Sequence, residues 1–214
     1  MTRPTPTAIA AELAARDDDL ARLIELVGPP PSRRAIPVAD RFERLATAIL
    51  HQQLAGAAAA TITRRVTERL DGSVSPSGIL SLPQGELRSC GVSGAKEVAL
   101  LDLAARVDDG RLELARFARL EDAEVIEQLV EVRGIGRWTA EMFLMGALGR
   151  HDIWPVGDLG VRNGWALLKG EADALSPRDL EPRGEDLRPF RSSVAWYCWR
   201  AVDVARESGG TLPR

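Results

Sequence analysis

An all-α fold is predicted by three observations. Apolar residues recur at three- and four-residue spacing along most of the chain, as on one face of a helix. Capping residues, glycines and prolines stand where those segments begin and end. No stretch shows the strict apolar-polar alternation of a half-buried strand, and neither an internal repeat nor a low-complexity tail interrupts the pattern.

Residues 1–17 are read as an N-terminal arm. Asp17 to Asp19 can cap a short helix through Val27, which Gly28 and three prolines stop, leaving a loop over 28–38. Near Asp40 a helix opens whose Phe42, Leu45, Ala46, Ile49 and Leu50 share one face. Ile62, Val66 and Leu70 repeat up to Gly72. Ser75 and Pro76 have the order of a cap and first-turn proline, and Gly91 closes a segment from Pro83. The next helix spans about Ser93 to Val107, with Val98, Leu101 and Ala104 expected on its apolar side. Asp122 is the expected cap of a helix carrying Val125, Ile126, Leu129 and Val130, which ends at Val132, and a further helix starts at Arg137. After a loop with Trp154 and Pro155 come a helix from Asp158 to Lys169, a polar stretch over 170–189, and a last helix from Arg191 to about Arg206.

The 214 residues suffice for one domain with a good core or for two small lobes sharing a cleft. No apolar run approaches the ~20 residues that span a bilayer, and the N-terminus lacks the order of a secretion signal, so the expected location is the cytoplasm. Cys90 and Cys198 are too few for a disulfide framework or an iron-sulfur cluster and are expected as buried small hydrophobes. A net charge of -3 does not announce a nucleic-acid binder, so any such binding has to come from a local patch. Of 28 basic residues only Lys96 and Lys169 are lysine, which leaves two candidates for any mechanism that needs a nucleophilic amine.

The stretch VRGIGRWTAEMFLM (132–145) interrupts an apolar helical pattern with Gly134 and Gly136. Glycine permits backbone angles and close approaches that a Cβ resists, so the segment is a tight hairpin between two helices. Outward-facing amides at a helix start form an anion site, and Arg133 and Arg137 flank this one. A simple interhelical turn is the other reading of GIG by itself. WPVGDLGVR (154–162) follows, with Asp158 where a loop becomes a helix. That aspartate can be an N-cap, and the same geometry would hold a fixed carboxylate at the positive end of a helix.

Together these two stretches resemble the helix-hairpin-helix plus Gly/Pro…Asp signature of the HhH-GPD superfamily of DNA base-excision glycosylases. Within it the chain is most similar to the DNA-3-methyladenine glycosylase II family. ILHQQLA (49–55), CGVSGAK (90–96) and RPFRSSVAWYCW (188–199) agree in order and spacing, and the resemblance covers about residues 18–205. It implies one helical glycosylase domain over 18–214, built as two lobes with a cleft between them, without a separate β-rich N-terminal domain.

The resemblance implies roles residue by residue. Asp158 is the catalytic carboxylate. Trp138 and Trp199 line the pocket for a flipped base, with Met142 where relatives can carry tyrosine. Gln53 fills the gap left in the duplex. Ser93, Gly134, Gly136, Arg133, Arg137, Thr139 and Arg191 are the other DNA contacts, although Arg191 and Ser192 are equally readable as braces. Relatives that cut the strand place a Schiff-base lysine where Trp138 stands, so monofunctional hydrolysis follows. The main-chain carbonyls of Val130, Val132 and Ile135 match those that hold a monovalent cation in relatives, and no other cofactor is expected. In place of a second wedge this chain has the small residues Ser93, Gly94 and Ala95. Duplex DNA with alkylated bases is the expected partner of a monomer; a non-catalytic DNA-binding module and a purely structural helical protein are the competing classes.

Overall fold

The computed structural model describes residues 4–54, 56–209 and 212. Among the described residues twelve α-helices follow in order: α1 (Pro6–Arg16), α2 (Asp18–Val27), α3 (Arg41–His51), α4 (Gly56–Arg69), α5 (Pro76–Ser81), α6 (Glu86–Ser89), α7 (Gly94–Asp108), α8 (Asp122–Val130), α9 (Arg137–Gly146), α10 (Leu159–Lys169), α11 (Pro177–Leu180) and α12 (Arg191–Glu207). The described residues contain no β-strand. Among them no helix is long and apolar enough to cross a membrane.

The chain divides into two units. The first joins Met1–Arg34 to Gly149–Arg214 and contains α1, α2 and α10 to α12. Its centre is the crossing of α10 and α12. A Cβ on Gly164 would stand 1.9 Å from the Cys198 carbonyl oxygen, so the two backbones touch where only glycine fits. Cys198 is fully buried there, and burial pushes its thiol pKa far up, which leaves it an inert small hydrophobe as expected. Tyr197 donates its hydroxyl to Gly28 O at 3.1 Å and so ties α12 to the end of α2. Lys169, at the end of α10, reaches Asp17 and Asp19 at the start of α2.

Residues 1–17, expected as an arm, hold α1. Thr5 caps it by accepting Ala8 N–H, Pro6 opens it, and Ile9, Ala10 and Leu13 are buried on one face within the first unit.

The second unit, Ala35–Leu148, contains α3 to α9. Its core is built from Leu45, Ile49, Val66, Ile79, Leu100, Leu103, Phe117, Leu129 and Leu144. Phe117 meets Phe143 edge to face, with ring centroids 6.2 Å apart. Ile36 N–H donates to Ala147 O at 2.9 Å, joining the two ends of this unit.

Two expectations about these helices are corrected. The buried side of α7 is Ala99, Leu100, Leu103 and Ala104, whereas Val98 and Leu101 are exposed. Val98 and Leu101 widen the apolar part of α7 beyond its buried side, so spacing alone does not choose its inner face. The cap of α8 is Glu121 rather than Asp122: Glu121 and Glu124 form a reciprocal capping box, and Glu121 N–H donates to Glu124 Oε2 at 2.8 Å. The polar stretch over 170–189 contains α11 and a 3-10 segment over Glu181–Leu187.

Candidate functional site

In the first unit, Asp158 is the N-cap of α10. Its Oδ1 accepts Val161 N–H at 2.8 Å, satisfying one of the unpaired amides of a helix start. The same oxygen accepts Trp199 Nε1–H at 3.0 Å. Two donors from two helices therefore fix the carboxylate, whose negative charge sits favourably at the positive end of the α10 dipole. Gly160 is required by this contact. A Cβ there would lie 2.9 Å from Trp199 Cδ1, too close without a shift of the indole, and 3.1 Å from Asp158 Oδ1, a tight contact.

Arg191 opens α12 with a side chain only 8 % exposed. Its Nε and Nη2 donate to the Asp152 carboxylate at 2.8 and 3.0 Å, and Nη2 also reaches Asp152 O at 3.0 Å. Of the two readings of Arg191 the geometry favours the brace over the DNA contact, because the guanidinium is enclosed and forked onto Asp152. Ser192 does likewise: fully buried, it donates to Arg150 O and accepts Ile153 N–H, each at 2.9 Å.

In the second unit, residues 131–136 form the hairpin between α8 and α9. Gly134 has φ +77° and a Cβ there would stand 3.0 Å from Ala99 Cβ, so both the left-handed backbone and the close approach demand glycine. Gly136 differs: φ is -93° and no atom lies within 4 Å of a Cβ built on it. The Arg133 amide is taken by Asp102 Oδ2 at 2.8 Å, which removes it from the set expected to face an anion. Arg133 and Arg137 are exposed. Arg137 Nε meets Glu141 at 2.9 Å while its side chain remains 74 % exposed, leaving the rest of the guanidinium toward solvent.

The neighbouring predicted contacts separate. Ser93 is exposed and caps α7 through Lys96 N–H. Thr139 is buried, with Gln52 Nε2 3.5 Å from its hydroxyl. Gln53 lies past the end of α3 in a turn with φ +55°, a left-handed conformation uncommon for a residue with a side chain. Trp138, in the first turn of α9, is 48 % exposed. Met142 lines a cavity of about 170 Å³ with Arg44, Thr47, Ala48, His51, Thr139 and Phe143.

Sequence reasoning missed Gly160, Asp102 and Gln52, and took Lys96 only as a candidate amine. Gln52 donates to Gly134 O at 2.9 Å, and Lys96 Nζ donates to Leu50 O at 2.7 Å. Burial alone would raise the Asp102 pKa, but the Arg133 amide and the Arg106 guanidinium outweigh it and hold the carboxyl below its usual range. The carbonyl of Val132 accepts Ile135 N–H at 3.1 Å and keeps a second lone pair. Among the described residues no group of three or more His, Cys, Asp and Glu side chains could hold a metal ion.

The sequence pattern of HhH-GPD superfamily base excision DNA repair proteins matches residues 46–188. DNA-3-methyladenine glycosylase 1 of Schizosaccharomyces pombe is 32 % identical over 205 residues, covering 94 % of this chain and 90 % of that protein. The structure of the S. pombe 3-methyladenine DNA glycosylase in complex with abasic DNA superposes with a TM-score of 0.82 over 92 % of this chain and 97 % of that one, at 32 % identity. A DNA-3-methyladenine glycosidase from Bacillus halodurans gives a TM-score of 0.84 at 31 % identity, over 99 % and 95 % of the two chains. The chain belongs to the HhH-GPD superfamily of base excision DNA repair proteins.

Proposed function

We propose that this chain is a monofunctional DNA glycosylase that hydrolyses the N-glycosidic bond of alkylated purines in duplex DNA. The observation that carries the proposal is the carboxylate of Asp158, held on one oxygen by Val161 N–H and Trp199 Nε1–H. As the C1′–N bond breaks, positive charge grows on the sugar, and a preorganised anion stabilises it without having to reorganise. Water then forms the new C1′–O bond and loses a proton. The electron pair of the broken bond neutralises a base that alkylation has made cationic, so 3-methyladenine or 7-methylguanine leaves without a strong general acid.

The hairpin supports DNA as the partner. Gly134 and Gly136 keep side chains away from the amides that begin α9, and the exposed Arg133 and Arg137 supply charge for a phosphate. Trp138 and Trp199 offer indole faces, and a cationic base gains roughly 0.5–2 kcal/mol from such a face where a neutral one gains stacking alone. A monovalent cation, where one binds, would be held by the carbonyls of Val130, Val132 and Ile135, hard oxygen donors of which Val132 retains a lone pair. Such an ion would supply positive charge at the hairpin for a phosphate. The working form we propose is a cytoplasmic monomer.

The test is release of free base from duplexes carrying 7-methylguanine, 3-methyladenine, hypoxanthine or uracil under single-turnover conditions. Faster release of the two alkylated purines is expected. Faster release of uracil overturns the substrate class, and salt-dependent duplex binding with no release from any duplex favours the non-catalytic binding module.

A further inference from the structure

One face of α7 presents Lys96, Ala99, Asp102 and Arg106 at successive turns. Lys96, Ala99 and Asp102 engage the end of α3 or the hairpin. Lys96 Nζ donates to Leu50 O at 2.7 Å, in the last turn of α3. The final carbonyls of a helix have no partner within it, and an ammonium there satisfies one of them while meeting the negative end of the helix dipole. Ala99 Cβ lies against Gly134. Asp102 takes Arg133 N–H and is itself clamped by Arg106 Nε, 3.2 Å from each carboxylate oxygen. Immediately after α3, Gln52 Nε2 donates to Gly134 O at 2.9 Å.

The end of α3 is thus tied to the hairpin twice, directly by Gln52 and through α7 by Lys96. The residue that follows these ties is Gln53, whose φ of +55° persists only where its surroundings determine it. At its own N-terminus α7 has only Ser93, Gly94 and Ala95, too small to enter a base stack.

We propose that Lys96 and Gln52 are positioning residues that lock the turn bearing Gln53 to the hairpin, so that gripping the phosphate and inserting Gln53 beside a flipped base occur as one rigid element. α7 is the buttress of that element and not a second wedge. The inference rests on the glycosylase reading of the protein. Filling the gap left by a flipped base matters most when the base must be separated from an intact partner, and little when the opposite base is missing.

The full chain and its Lys96→Met, Lys96→Arg and Gln52→Leu variants are compared in single-turnover release of 7-methylguanine, once opposite cytosine and once opposite an abasic residue. Lys96→Met and Gln52→Leu are expected to slow release opposite cytosine by about tenfold or more, and opposite the abasic residue by less than about threefold. Affinity for undamaged duplex stays within about threefold, and Lys96→Arg restores most of the rate because it keeps a donor. Equal losses on both substrates, or wild-type rates opposite cytosine, overturn the proposal. Should Lys96→Met fail to fold, Gln52→Leu carries the same comparison. A wild-type protein that releases no base defeats the glycosylase reading; an active wild type whose variants match it defeats the positioning role alone.

Discussion

Trp199 donates its indole N–H to Asp158 Oδ1 at 3.0 Å, across 41 residues of sequence, on the oxygen that also caps α10. The tryptophan therefore orients the carboxylate in addition to any face it offers a base. Trp199→Phe keeps an aromatic face and removes the donor. A hydrogen bond to a charged group contributes about 1.5–3 kcal/mol, so release of a methylated purine should slow about 10- to 100-fold. Gly160→Ala, which pushes a methyl against Trp199, should slow it comparably with the helix content unchanged. Single-turnover rates and circular dichroism check both, and rates near wild type would show that the bond does not matter to catalysis.

The two hairpin glycines should behave differently. Gly134→Ala meets a positive φ and Ala99, so it should cost about 1 kcal/mol or more in stability and weaken binding to any duplex. Gly136→Ala meets neither obstacle and should leave the melting temperature nearly unchanged. Thermal melts and duplex titrations of the pair decide this; equal effects would contradict the hairpin geometry.

The sequence made much of this legible, for physical reasons. Helices with a clean apolar stripe, such as α3, announce their inner face, and Asp158 announces a cap because a short acceptor before an apolar run is what a helix start requires. α7 carries Val98 and Leu101 outside its buried side, so its inner face depends on what packs against it. Thr139 and Arg191 stood in matching motifs, and the side chains they meet are distant in sequence: Gln52 for the one, Asp152 and Glu185 for the other. The same holds for Asp102 and the Arg133 amide, 31 residues apart, a contact that no local pattern carries.

Borohydride should trap no protein-DNA adduct, and the product strand should remain uncut until alkali is added. Lys169 is held charged by Asp17 and Asp19, whose hydrogen bonds outweigh the opposing effect of burial. Burial lowers the pKa of Lys96, which makes it the better nucleophile of the two, but its ammonium is engaged with Leu50 O. An adduct lost in Lys96→Met would mean that this amine reaches C1′.

Asp102 should impose an acid limit on hairpin stability. Its folded pKa lies below the ordinary aspartate value of about 3.9, so its contribution is complete above that value and is lost as the pH falls through the folded one. Asp102→Asn should be less stable than wild type at neutral pH, with the difference shrinking below about pH 4. Denaturant unfolding at a series of pH values checks this, and a pH-independent difference would assign the loss to shape instead of charge.

The central claim is that the charge of Asp158 performs catalysis while its capping performs structure. Asp158→Asn separates the two, because the amide still accepts Val161 N–H but carries no charge. The decisive measurement is the single-turnover rate of 7-methylguanine release by this variant, with duplex affinity and melting temperature measured on the same preparation. The account predicts a rate lowered by about a hundredfold or more with affinity and stability near wild type. A rate within a few-fold of wild type would contradict it.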